Sequence, residues 1–168
     1  MNKTKPKLII IRGPSGSGKT TIANQLRKNS NNKIALLEFD TFRNDILGLQ
    51  GNYYPPAIEM YTHNALTAIR NGYDVIMDGI YRPERYDNPL EKLFSGHDGE
   101  NYIFYFDISL DETIKRHAGR EKSKLFGEKE LTEWYSKPTA MGYDFEYAIP
   151  EHSTIEKTLE LIRSKTGL

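Results

Sequence analysis

A glycine-rich octapeptide, Gly13-Pro14-Ser15-Gly16-Ser17-Gly18-Lys19-Thr20, follows directly on the short apolar run Lys7 to Arg12 (KLIIIR). After it, Ile22, Ala23 and Leu26 recur at helical spacing between Thr21 and Lys28. Nothing else in the sequence constrains the fold as tightly. A continuous apolar run suits a strand buried on both faces of a parallel sheet. The glycines let the backbone bend so that successive N–H groups face one anion with no Cβ in the way. A helix opening near Lys19 points its positive end at the same anion. Strand, loop and helix together make a phosphate cradle, and chance produces the full G-x-x-x-x-G-K-[ST] pattern in a chain of this length on the order of once in a hundred. The residue types then divide the work. Gly13, Ser15, Gly16, Ser17, Gly18, Lys19, Thr20 and Thr21 are expected to hold a nucleotide. Lys19, reaching the β- and γ-phosphates, is also a catalytic candidate, and the Thr20 hydroxyl is an expected metal ligand. ATP and Mg²⁺ are the expected cofactors.

The strand–helix alternation continues along the chain. Ile34 to Phe39 (IALLEF), Tyr73 to Met77 (YDVIM), Tyr102 to Phe106 (YIFYF) and Glu146 to Ile149 (EYAI) read as further strands. Helices are expected at Pro55 to Arg70, Pro83 to Phe94, Leu110 to Ala118 and Ser153 to Ser164. Pro55-Pro56 suits a first helical turn. Ser109 with Glu112, and Ser153 with Glu156, match the capping-box spacing that opens a helix. Such alternation implies parallel pairing through right-handed crossovers. The fold class is therefore α/β: a three-layer α/β/α arrangement around five parallel strands. With no internal repeat or linker, residues 1–168 read as one domain. The polar, glycine-bounded stretch Gly119 to Gly127 (GREKSKLFG) reads as a mobile insertion, a lid over roughly residues 116–130.

In an open parallel sheet, ligands meet the carboxyl ends of the strands. Asp78 closes the run Val75 to Asp78 (VIMD), so it is expected to hold the metal beside Thr20, although Asp-Gly is also an ordinary turn signal. Asp40 closes the second strand. There it can accept the proton of an acceptor hydroxyl, cap the helix that follows, or do both. Arg43 lies three residues after Asp40, and Arg82 four after Asp78. Two guanidinium groups at that edge suit an anionic acceptor, so Asp40, Arg43 and Arg82 are the substrate-binding candidates. Arg116, Arg120, Lys122 and Lys124 cluster in and before the insertion. Arg116 and Arg120, one helical turn apart, are the catalytic candidates for charge stabilisation from a closing lid; the alternative is a solvated face.

Composition excludes several classes. The chain has 23 basic and 23 acidic residues, so no global field draws it to nucleic acid or an anionic membrane, and a nucleic-acid acceptor is left open without being favoured. Without cysteine, it can hold no disulfide, zinc-thiolate or thiol chemistry. No segment approaches the roughly 20 apolar residues of a membrane span, and the apolar run after Lys7 is too short for a secretory core. A cytoplasmic enzyme is expected. The tyrosines, Tyr53, Tyr54, Tyr61, Tyr81 and Tyr86 among them, read as sheet and helix packing with a wet hydroxyl rather than as base-stacking residues. The histidines show no metal-ligand spacing, and oligomeric state is not legible.

These motifs resemble, over nearly the whole chain, the small P-loop kinases, with GPSGSGKT similar to their Walker A loop. Asp40-Thr-Phe-Arg43 resembles the D-x-x-R of polynucleotide 5′-hydroxyl kinases, where the acid is the general base and the arginine contacts the acceptor. Asp78 to Tyr86 (DGIYRPERY) and Phe106 to Arg120 (FDISLDETIKRHAGR) resemble their strand-end acid with P-E-R segment and their strand, helix and lid. Zeta-toxin kinases share the loop and the strand-two acid. The same residues also resemble the D-x-x-R and D-G-x-P-R elements of nucleoside monophosphate kinases, with Tyr81 standing where proline is expected. The resemblance implies a strand order 2-3-1-4-5 and transfer of the ATP γ-phosphoryl group to a small-molecule or nucleotide-like hydroxyl. Its alternatives are a nucleoside monophosphate kinase or a polynucleotide kinase. A hydrolysing switch is disfavoured, because no glutamate adjoins Asp78 and no N-K-x-D motif occurs.

Overall fold

The computed structural model describes residues 5–50, 54–119 and 127–168. The apolar run before the glycine loop forms β1 (Lys7–Arg12), buried from Leu8 onward. On one side it pairs with β3 (Asp74–Gly79), which pairs in turn with β2 (Ile34–Glu38). On the other side it pairs with β4 (Glu100–Asp107), and β4 with β5 (Glu146–Pro150). All four pairings are parallel, in the order β2-β3-β1-β4-β5. The chain thus winds to one side of β1 and then to the other, and the crevice at that reversal lies beside the glycine loop.

Successive β1 residues face opposite layers. Leu8 and Ile10 pack with Val75 and Met77 against α3 (Pro55–Arg70) and α4 (Pro83–Ser95). Ile9 and Ile11 pack with Ile76 and Phe104 against α1 (Lys19–Lys28) and α7 (Ile155–Thr166). Full burial of each such side chain contributes about 1.5–3 kcal/mol, which is why this short strand shows continuous apolarity rather than alternation.

Several boundaries differ from expectation, each for a local reason. β2 ends at Glu38, and Phe39 opens α2 (Phe39–Thr41) because its ring turns into an aromatic pocket, 4.9 Å from Tyr61 and 5.8 Å from Tyr86 between centroids. A π-helical turn (Phe42–Ile46) continues α2. β3 runs through Asp78 to Gly79, so that pair is strand rather than turn. Ser109 caps α5 (Leu110–Ala118) as expected, accepting from the Glu112 N–H at 3.2 Å. Ser153 does not cap α7. Thr154 does, accepting from Lys157 N–H at 3.2 Å, because the chain turns back at Pro150 and delays the helix start. α6 (Glu128–Trp134) was not anticipated: Leu131 is its one buried residue, too few to set a period. Of the expected lid, residues 120–126 lie outside the described residues, and with them Arg120, Lys122 and Lys124; so does Tyr53.

Candidate active site

The glycine loop leaves β1 in a left-handed backbone, with φ of 152° at Gly13, 83° at Gly16 and 108° at Gly18. At Gly13 a side chain is excluded by contact as well, since a Cβ would lie 2.8 Å from the Phe106 Cβ. β1 can therefore hand the chain to the loop while lying directly against β4. Gly18 precedes α1, whose first residue is Lys19. The Lys19 side chain is buried and folds back over the loop, donating to the Pro14 carbonyl at 2.8 Å and approaching the Ser17 hydroxyl at 3.5 Å. Thr20 and Thr21 follow on the exposed side of the helix start.

Beside the loop stands Asp78, buried at the end of β3. The Thr20 hydroxyl donates to its Oδ2 at 2.5 Å. Burial pushes the Asp78 carboxyl above its ordinary value; the Lys19 charge and the Thr20 hydrogen bond pull it back, and the charges of Glu38 and Asp40 push it up again. Glu38 lies directly across from Asp78 in the β2–β3 register, half-buried, with its carboxylate reached by Thr41 Oγ1 at 3.3 Å and Asn24 Nδ2 at 3.4 Å. Sequence reading passed over Glu38. The usable signal was an acid at the end of an apolar run, hidden by the second acid two residues on.

Asp40 sits within α2, in the first turn rather than at the N-cap, which is Glu38. Its carboxylate is exposed and pairs with Arg43 at 3.0 Å, and the Arg43 guanidinium lies 5.9 Å from the centroid of the Phe39 ring. The three-residue spacing thus brings acid and arginine together. Arg82 is the N-cap residue of α4 and donates to the Trp134 carbonyl at the end of α6 at 2.6 Å. Arg116 lies on α5 and joins three parts of the molecule: Nη1 donates to the Ser17 carbonyl at 2.9 Å, Nε to Glu112 at 2.7 Å, and Nη2 to the Glu151 carbonyl beyond β5. In this arrangement its guanidinium braces the glycine loop from outside. Arg12, not singled out in the sequence, forms a buried ion pair with Glu146 at 2.6 Å and also donates to the Thr139 carbonyl. The pair ties β5, and the Thr139 contact the segment after α6, to the root of the loop.

This donor set fits a Mg²⁺–nucleotide. One buried carboxylate, one hydroxyl and a lysine adjoin the glycine loop, and Mg²⁺ takes one or two protein oxygens with phosphate and water completing its shell. Consistently, no cluster of three or more His, Asp or Glu that could hold a metal alone occurs among the described residues. No described helix is long and apolar enough to cross a membrane.

A family model described as an AAA domain (AAA_33) matches residues 8–135, from β1 to just past α6. The chain belongs to that family. This AAA domain is 30% identical over 153 residues to a "Probable thymidylate kinase" of Methanosarcina acetivorans, covering 71% of this chain and 73% of the relative. Its fold matches the Mycobacterium tuberculosis APS kinase solved with AMPPNP and APS, at TM-score 0.77 and 14% identity over 98% of this chain and 99% of that one. It also matches the Deinococcus radiodurans tunicamycin resistance protein, at TM-score 0.68 and 18% identity over 97% and 96% of the two chains. The AAA domain described here is a P-loop kinase, a phosphotransferase.

Proposed function

We propose that this kinase transfers the γ-phosphoryl group of ATP to a hydroxyl of a small-molecule or nucleotide-like acceptor, with Asp40 as general base. The observation that carries the reading is the setting of Asp40. It is an exposed carboxylate in the helical turn just past β2, oriented by Arg43 at 3.0 Å, and the nearby acids at the strand ends are Glu38 and Asp78. A neutral hydroxyl can approach that edge and lose its proton there, whereas an incoming phosphate meets like charge.

The loop N–H groups and Lys19 hold the β- and γ-phosphates, Lys19 exchanging its bond to Pro14 for them. Thr20 and Asp78 would hold Mg²⁺, which when bound neutralises phosphate charge. The acceptor oxygen attacks the γ-phosphorus as its proton passes to an Asp40 oxygen. The bond to the β,γ-bridging oxygen breaks, and ADP leaves. Arg43 and Arg82 bind anionic parts of the acceptor away from the reacting oxygen, Arg116 supplies positive charge beside the glycine loop it touches at Ser17, and Arg120 is assigned the same role from its sequence position alone.

A second reading has one specific support: the thymidylate kinase relative takes, by its name, a nucleoside monophosphate. There Arg43 and Arg82 would grip the acceptor phosphate, and Asp40 would only orient Arg43.

ATP consumption with Mg²⁺ against nucleosides, nucleotides, nucleotide sugars, oligonucleotides, sugars and antibiotics separates the two, run with wild type and Asp40→Ala. Hydroxyl transfer predicts an acceptor-dependent rate that falls about 10²–10⁴-fold in the variant. Response to monophosphates alone, with most activity kept in Asp40→Ala, establishes the second reading instead.

A further inference from the structure

Beneath the acidic strand edge a chain of hydrogen bonds runs away from the reacting groups into the core. Tyr61 of α3 donates to the carbonyl of Leu37, the residue before Glu38. Tyr81, three residues past Asp78, places its hydroxyl 2.9 Å from the Tyr61 oxygen and 3.2 Å from the Asp78 carbonyl. Each phenol has one proton, so the order is set. Tyr61 gives its proton to Leu37, and Tyr81 donates to the Tyr61 oxygen and the Asp78 carbonyl in shared fashion.

Both rings are almost wholly buried, Tyr61 at 0% and Tyr81 at 1% exposure. Burial also holds both phenols well above their ordinary value, so they stay donors at any working pH. Phenylalanine would fill the same volume without a polar group to satisfy. What the hydroxyls add is a bridge between the ends of β2 and β3, where Glu38, the last residue of β2, and Asp78, the last but one of β3, face one another in register. Gly79 makes that bridge feasible. A Cβ there would lie 2.6 Å from Tyr81 Cζ and 2.9 Å from its hydroxyl oxygen, so only glycine lets the ring fold back beneath Asp78.

We propose that Tyr61 and Tyr81 are positioning residues for the metal–nucleotide: their two-hydroxyl chain holds the Glu38 and Asp78 carboxylates at one spacing against their mutual repulsion. The proposal rests on the reading of Asp78 as the metal-side carboxylate and is independent of which acceptor is used. Without the bridge only the β2–β3 ladder holds the strand ends, and the carboxylate spacing must be tightened again at each binding event.

Calorimetric titration of ATP into wild type, Tyr81→Phe, Tyr61→Phe and the double variant, with and without Mg²⁺, tests this alongside Tm. The Mg²⁺-dependent gain in ATP affinity is expected to fall about tenfold in each single variant. The double variant should do no worse than either, because breaking the chain at one point opens it. Metal-free ATP binding should stay unchanged. Gly79→Ala should give the same loss by displacing the ring. Single variants that lower Tm yet keep the full Mg²⁺ gain, or losses that add in the double variant, overturn the proposal. If one variant fails to fold, the other decides. A wild type whose ATP affinity ignores Mg²⁺ removes the basis of the proposal. Failure of the hydroxyl-acceptor reading leaves these titrations untouched and appears only in turnover, as a response to monophosphates alone or to no acceptor at all.

Discussion

Burial holds the Asp78 carboxyl above its ordinary value, so the metal-free native state binds that proton more tightly than the unfolded chain does. Stability therefore falls as pH rises from the ordinary aspartate range through the raised value, and it stays lower above it. Asp78→Asn removes the effect. The metal-free variant should melt above wild type at neutral pH, with the gap closing in acid, and it should lose the Mg²⁺-dependent gain in ATP binding. A Tm–pH series on both proteins checks the sign; a variant that melts lower at neutral pH contradicts it. At this scale the meeting of Thr20 with Asp78 beside the glycine loop was legible in advance, because Gly13, Lys19 and Thr20 belong to one local motif and Asp78 stands near a strand end. Glu38, Tyr61 and Tyr81 were not legible as neighbours of the site. Their roles come from the β2–β3 register and from a helix crossing beneath it, which are distances in space rather than in sequence. The three-way contact of Arg116 is hidden for the same reason, since Ser17 and Glu151 lie far from it along the chain.

The principal elements could be read directly, because each buries a face with a regular period: β1 on both sides, and α3 through Ala57, Ile58, Tyr61, Ala65 and Ile69. Elements with little buried surface could not. α6 buries Leu131 alone, and the π-helical turn Phe42–Ile46 buries nothing fully, so neither imprints a pattern. The π turn contains Arg43 of the Asp40–Arg43 pair, and turns of this kind are common near functional sites. Caps show how fine the limit is. Ser153 and Thr154 are chemically equivalent candidates one residue apart, and the turn at Pro150 chooses between them. Thr154→Ala should cost about 1 kcal/mol of stability, or about 2–4 °C in Tm, while Ser153→Ala should cost markedly less. Denaturant titration of the two variants distinguishes them; equal losses would mean the cap is shared.

For the whole molecule, alternation implied parallel strands in layers, but their order came only from resemblance to known kinases, since periodicity does not say which strand lies beside which. In that order β1 occupies the middle, bonded on both sides, while β2 is an edge strand of half-buried residues. Native-state hydrogen exchange should therefore find the amides of Leu8 to Ile11 opening only with global unfolding, and those of α2 and the π turn opening locally and sooner. Similar protection in both places would sink that expectation. The two halves of the site thus stand on foundations of very different lifetime. On the proposed reading, the grip on the donor nucleotide would be rooted in the bonds that break last, and the residues facing the acceptor in those that break first. A lineage of such chains can try new acceptors by rebuilding one edge, because the part that recognises the donor is insulated from the experiment.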